Sequence, residues 1–206
     1  APCPAPCTGF ASIAGMPSEL PTDFTLIHDP LPYVAALELR PLSQIDLVVI
    51  HCTELPTLAD ARQFGERVLY PSGTGNSGHY YIDRDGRVLA YVPVDRIAHH
   101  VRGYNPRAVG IELVNTGRYP HWLARDSQRM DEPYTPEQIA ALGALLASLQ
   151  RELPALKYIA GHEDLDTTHE PASDDASVQV ARKMDPGPLF PWPQVMLATT
   201  LERLQP

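Results

Sequence analysis

The chain has 206 residues, 44% hydrophobic and 20% charged, the balance of a globular domain with room for one substantial core. Its formal net charge of -9 argues against the clustered Lys and Arg that phosphate backbones require, so no nucleic-acid partner is expected, nor adhesion to an anionic membrane surface. No apolar run is long enough to cross a bilayer; the longest, around 139–149, is broken by Gly143 and Ser148.

Residues 1–44 carry many prolines and little periodicity. They read as an extended Pro-rich N-terminal arm laid over a catalytic domain at 45–206. The arm opens Ala1-Pro2-Cys3-Pro4-Ala5-Pro6-Cys7. An initial Ala instead of Met is expected of a processed or a trimmed chain. Cys3 and Cys7 fit either a small disulfide in an oxidising compartment or two idle thiols. The apolar run 47–50 suits a strand buried on both faces and leads into His51, with Cys52 just beyond it and buried. Over 57–69, Leu58, Ala61, Phe64 and Val68 fall at helical spacing behind Thr57, a ready N-cap. After a Gly/Ser loop, strands over 79–83 and 87–92 flank Asp85-Gly86, a strong hairpin signal.

Residues 108–115 form another buried strand. A helix is expected from Pro136 to about Arg151, with Thr135 as N-cap and Gln138 completing a capping box. A short strand over 157–160 leads into Gly161-His162. Residues 164–181 are acidic and aperiodic and read as a loop, and the last helix is expected over 192–204. Strands separated by helices, plus one hairpin, imply an α/β fold: a single domain with a central mixed β-sheet flanked by helices.

Three polar residues occupy places where apolar ones would cost less. His51 ends the first central strand, Glu112 lies inside a buried strand, and His162 follows a strand end and a glycine. Catalytic groups concentrate at such strand ends because loops there can approach a ligand. Each residue alone also has a plain structural reading. A lone histidine is more often a hydrogen-bonded scaffold group, Glu112 can pair with Arg102 or Arg107, and Asp185 before Pro186 can form a turn.

The order of motifs is more specific than any one of them. Ile50-His51-Cys52-Thr53, Ser77-Gly78-His79-Tyr80-Tyr81-Ile82-Asp83-Arg84-Asp85-Gly86 and Val109-Gly110-Ile111-Glu112-Leu113 come first. Gly161-His162-Glu163-Asp164 and Arg182-Lys183-Met184-Asp185-Pro186-Gly187-Pro188 follow. Together, over about 51–192, they resemble the zinc-dependent N-acetylmuramoyl-L-alanine amidases, a superfamily with phage lysozyme-type amidases, bacterial muropeptide amidases and peptidoglycan recognition proteins. The resemblance implies a Zn2+ cofactor on His51, His162 and Asp185, with Glu112 taking a proton from the attacking water and Lys183 stabilising the oxyanion. It implies a hydrolase acting on peptidoglycan or muropeptide fragments, at the amide between N-acetylmuramic acid and L-alanine of the stem peptide. His79 and His100 match positions lining the site. Asn105 and Arg107, in the loop before the Glu112 strand, are expected near substrate.

The chain departs from the family where some members carry a site tyrosine, since Gly78 stands there, and where many have Cys as third ligand. The segment between His162 and Lys183 is also longer than expected. A binding module without catalysis and a cysteine hydrolase built on Cys52 are the rival readings. Cys52 directly follows His51 on a strand, so the two side chains should face opposite ways. Peptidoglycan chemistry and the Pro/Cys-rich arm point to an exported enzyme of the periplasm or cell envelope, with cytoplasmic muropeptide recycling as the alternative.

Overall fold

The computed structural model describes residues 24–205; Cys3 and Cys7 lie outside them. In chain order the strands are β1 (Leu26–His28), β2 (Leu47–Cys52), β3 (Tyr80–Ile82), β4 (Val88–Ala90), β5 (Ala108–Leu113), β6 (Tyr158–Gly161), β7 (His169–Pro171), β8 (Gln179–Ala181) and β9 (Glu202–Arg203). The α-helices are α1 (Leu58–Gly65), α2 (Pro136–Glu152), α3 (His162–Leu165) and α4 (Trp192–Leu197).

β2 is buried along its whole length. A strand can sustain that only with neighbours on both edges and cover on both faces. β5 pairs with it in parallel on one edge and β6 in parallel on the other. β3 continues the parallel set beyond β5, and β4 turns back against β3 as the hairpin that Asp85-Gly86 predicts. Gly86 adopts φ 83°, a conformation open mainly to glycine. The result among the described residues is a mixed seven-stranded sheet in the order β1-β4-β3-β5-β2-β6-β9.

α2 covers one face. Its start is the expected capping box: Gln138 N–H donates to Thr135 Oγ1 and Thr135 N–H to Gln138 Oε1, both at 3.1 Å. Leu142, Leu145, Leu146 and Leu149 of α2 pack on Val48, Ile50, Val109, Ile111 and Leu113. Each such side chain contributes on the order of 2 kcal/mol through burial.

Three expectations change. Residues 26–28 of the expected arm join the sheet as edge strand β1, parallel to β4, and Leu31, Tyr33 and Leu37 are buried beside Tyr81 and Tyr91. The segment forms only two single-turn 3-10 helices, Val34–Ala36 and Leu42–Gln44, but its apolar side chains still bury. The 164–181 loop contains the antiparallel hairpin β7–β8, whose three-residue strands are too short to show a period. The last helix stops at Leu197, Thr199 Oγ1 donates to Gln150 Oε1 at 2.9 Å, and β9 then joins β6.

Candidate metal centre and its cleft

Strand alternation decides which side chains reach the site. Val48 and Ile50 of β2 turn toward α2, so His51 turns to the opposite face. Val109, Ile111 and Leu113 of β5 do the same, which leaves Gly110 and Glu112 on the His51 side. His51 and Glu112 are register partners on neighbouring strands. His162 is the first residue of α3, directly after β6. Asp185 arrives from the loop after β8, where its carbonyl accepts the Glu163 N–H at 2.9 Å. Gly161 permits that approach, because a β-carbon there would lie 2.8 Å from Pro186 Cδ.

His51, His162 and Asp185 are all buried, and each offers one ligand atom within 4.8 Å of the others. His51 Nδ1 and His162 Nδ1 lie 2.9 and 3.1 Å from Asp185 Oδ2. Two ligands about 2.0–2.2 Å from a tetrahedral zinc are themselves about 3.3–3.6 Å apart, a few tenths of an ångström more than these distances. His162 Nε2 and Asp185 Oδ1 are buried without a hydrogen-bond partner. An unsatisfied buried polar atom costs about 1–3 kcal/mol, and a cation relieves that cost for an anionic oxygen. Two imidazoles, one carboxylate and an open side suit a catalytic zinc site.

Burial pushes the His51 pKa down to about 4 against the opposing pull of Asp185, so its ring is neutral near pH 7. Burial alone would raise the Asp185 carboxyl, but His162 and His51 outweigh it and hold it well below the usual carboxylate range. Glu112 goes the other way: burial raises it well above its ordinary value, Asp185 adds to this, and Lys183 opposes it.

A cleft of about 680 Å³ opens over the cluster. Glu112, Lys183, His100 and Asn105 all line it. His100 Nδ1 faces His51 Nε2 at 2.9 Å, which fixes the His51 ring. Asn105 Oδ1 accepts the N–H groups of His100 and Val101, at 3.0 and 2.8 Å, and so holds the His100 turn.

His79 and Arg107 do not reach the cleft. His79 is fully buried; its Nδ1 accepts the Gly110 N–H and its Nε2 donates to the Arg96 carbonyl, each at 3.0 Å. Burial and the adjacent Arg40 guanidinium lower its pKa to about 3. Arg107 is turned to Asp46 in a bidentate pair at 2.5 Å. Residues to which the sequence gives no site role also line the cleft: Phe64 in α1, Tyr70 beyond its end, Trp122, Glu54 with Arg118, and Arg182. Cys52 is buried, and burial raises its thiol well above the ordinary range.

A mixed α/β sheet with a His-His-Asp centre beside its strand ends is the architecture these residues define. The chain belongs to the N-acetylmuramoyl-L-alanine amidase family, whose model matches residues 41–188. It is 32% identical over 127 residues to the 1,6-anhydro-N-acetylmuramyl-L-alanine amidase AmpD of Salmonella typhimurium (strain LT2), a match covering 57% of this chain and 54% of that protein. It is 30% identical over 166 residues to the N-acetylmuramoyl-L-alanine amidase AmiD of Escherichia coli (strain K12), covering 74% of this chain and 52% of that one. The chain thus spans about half the length of these curated relatives. Among solved structures, the amidase LysC from Clostridium intestinale superposes with a TM-score of 0.62 at 19% identity, over 87% of this chain and 100% of that one. E. coli AmiD, in complex with the substrate anhydro-N-acetylmuramic acid-L-Ala-D-gamma-Glu-L-Lys, gives 0.57 at 24%, over 77% and 58%. At these identities the structural likeness establishes the fold.

Proposed function

We propose that the chain is a zinc-dependent N-acetylmuramoyl-L-alanine amidase, hydrolysing the amide between N-acetylmuramic acid and L-alanine of the peptidoglycan stem peptide. The observation that carries this reading is the convergence of His51, His162 and Asp185 within 4.8 Å, on a cleft that also receives Glu112 and Lys183. Family membership supports the bond class, and the substrate named for E. coli AmiD contains that bond.

His51, His162 and Asp185 would hold the metal, which when bound supplies a Lewis acid for the scissile carbonyl and acidifies the attacking water. Glu112 accepts a proton from that water and passes it to the leaving amine. Such general acid–base work contributes about 10²–10⁴-fold in rate. Lys183 brings its ammonium to the oxygen on which negative charge develops. His100 keeps the His51 ring in register for ligation. Peptidoglycan or its muropeptide fragments are the corresponding partners. We place the enzyme in the periplasm or cell envelope, with cytoplasmic muropeptide recycling as the alternative that cell fractionation distinguishes.

The test is metal analysis of the purified chain, with mass spectrometry of products from intact sacculi and soluble anhydro-muropeptides, with and without chelator. The expected result is one zinc per chain and chelator-sensitive release of stem peptides beginning with L-alanine. A chain that carries no zinc, yet binds muropeptide without cutting it, would overturn the catalytic reading in favour of a binding module.

A further inference from the structure

Two loops leave the candidate metal centre, and each sends a carboxylate to an arginine. After β2 the chain turns at Glu54, whose φ of 48° is the sole left-handed non-glycine backbone among the described residues. The Glu54 carboxylate accepts from Arg118 Nε at 2.7 Å, Arg118 Nη2 at 3.0 Å and the Arg118 backbone N–H at 3.2 Å. Gly117, with φ 54°, makes room: a β-carbon there would lie 2.6 Å from Glu54 Cγ. Trp122 Nε1 donates to the Glu54 carbonyl at 3.0 Å and holds the turn from the other end. Beyond the second ligand, Asp166 pairs with the Arg182 guanidinium, and the Arg182 N–H donates to the Thr168 carbonyl at 2.9 Å.

The Arg118 guanidinium has donors left over; one also reaches Gln128 Oε1 at 3.2 Å, and the others meet the segment before Lys183. Nη1 donates to the Ala181 carbonyl at 2.9 Å, and Nη2 also reaches the Arg182 carbonyl at 3.3 Å. These are the two residues before Lys183, with Asp185 two further on. The Arg118 side chain is only 1% exposed. A buried ion pair adds little stability over an apolar pair of the same volume, so stability alone gives no reason for one here. A planar guanidinium does what an apolar pair cannot: it fixes several acceptors in one plane.

We propose that the Glu54–Arg118 pair is a positioning clamp for the segment that carries Lys183 and Asp185. Glu54 orients the guanidinium, and the guanidinium holds the carbonyls of residues 181 and 182, which sets where Lys183 and Asp185 meet the centre. The inference rests on the assignment of His51, His162 and Asp185 as zinc ligands and of Lys183 as the oxyanion group.

Arg118→Lys separates clamping from charge balance. Lysine keeps the positive charge against Glu54, but as a point donor it cannot span Glu54 and both carbonyls. Three measurements are made on the whole chain: melting temperature without metal, zinc affinity by chelator competition, and amide hydrogen exchange. The expected variant melts below the parent, because buried acceptors lose their donors, binds zinc about tenfold more weakly, as loss of groups supporting a ligand typically does, and exchanges faster at 181–185 by a larger factor than at β2 and α2. Where it turns over muropeptide, kcat falls with KM unchanged. If Arg118→Lys does not fold, Glu54→Gln, which keeps the side-chain length, gives the same readouts. Parent-like exchange at 181–185 overturns the clamp. So does faster exchange with unaltered zinc affinity, which would leave the pair as loop support only. A parent chain that binds no zinc sinks the ligand assignment instead, and exchange at 181–185 still decides whether the clamp holds that segment.

Discussion

Glu112 stands over Gly78 with no room for a side chain between them: a β-carbon on Gly78 would lie 2.8 Å from Glu112 Cγ and 3.2 Å from the Gly110 carbonyl oxygen. Gly78 is not in a left-handed conformation, so what the glycine supplies is space. The space that the missing side chain leaves is taken by Glu112, the proposed base. Gly78→Ala is therefore expected to displace Glu112 from its reacting geometry while leaving the ligands untouched. Misplacement by about 1 Å costs on the order of 10²-fold in rate. Steady-state kinetics should show that loss in kcat, with zinc content unchanged; a fully active, zinc-replete Gly78→Ala protein would remove Glu112 from the base role.

The parts of the molecule legible in the sequence are those where local pattern and tertiary need coincide. The unbroken apolar run of β2, the β5 strand and the Thr135–Gln138 box on α2 each announce themselves within a few residues. His51 and Glu112 stand out because a polar group inside such a strand demands a reason. The clamp was not legible, since Glu54 and Arg118 lie 64 residues apart and each alone is an ordinary loop charge. β7 and β8 escape because three residues carry no period. His79 is ambiguous in sequence for a different reason: a histidine with both nitrogens satisfied in the interior has the same sequence signature as one facing a cleft.

Metal removal should be visible without any substrate. A ligand that binds only the folded state at about 100 times its Kd stabilises by about 2.7 kcal/mol, which for a domain of this size corresponds to about 5–10 °C in melting temperature. Stripping zinc with a chelator should lower the transition by that order, and re-addition should restore it. Asp185→Asn should show neither the shift nor bound zinc, because the neutral amide no longer offsets the cation. Identical melting curves with and without zinc would contradict a structural hold on the metal by these three residues.

Cys52 sits beside His51 in sequence, but the pleat directs neighbouring side chains to opposite faces. Its thiol is buried and raised well above its ordinary value, first by desolvation and then by the Asp185 and Glu54 carboxylates. A thiol in that environment is a poor nucleophile because the thiolate is the reactive form. Iodoacetamide applied to the folded protein at neutral pH is expected to leave turnover intact, whereas a chelator abolishes it. The opposite pattern, loss with the thiol reagent and resistance to the chelator, would restore the cysteine-hydrolase reading.

His79 gives the fold a defined sensitivity to acid. Its pKa falls from 6.5 to about 3, first through burial and then through Arg40. A lowered histidine pKa means that the unfolded chain takes up the proton more readily than the folded one, so stability rises with pH across this window. Its contribution is complete above about 6.5 and is lost progressively as the pH falls toward about 3. Between pH 6.5 and 5 the loss is on the order of 2 kcal/mol. His79→Gln retains one acceptor for the Gly110 N–H and one donor for the Arg96 carbonyl, but it does not titrate. The variant should be less stable at pH 7, because the amide fills the imidazole site imperfectly, yet its urea-unfolding free energy should change less between pH 6.5 and 5. His51, lowered to about 4, adds a slope of the same sign in both proteins and cancels in the comparison when both are free of metal. Equal slopes in parent and variant would show that His79 takes up its proton in the folded state and that the buried neutral ring is wrongly assigned.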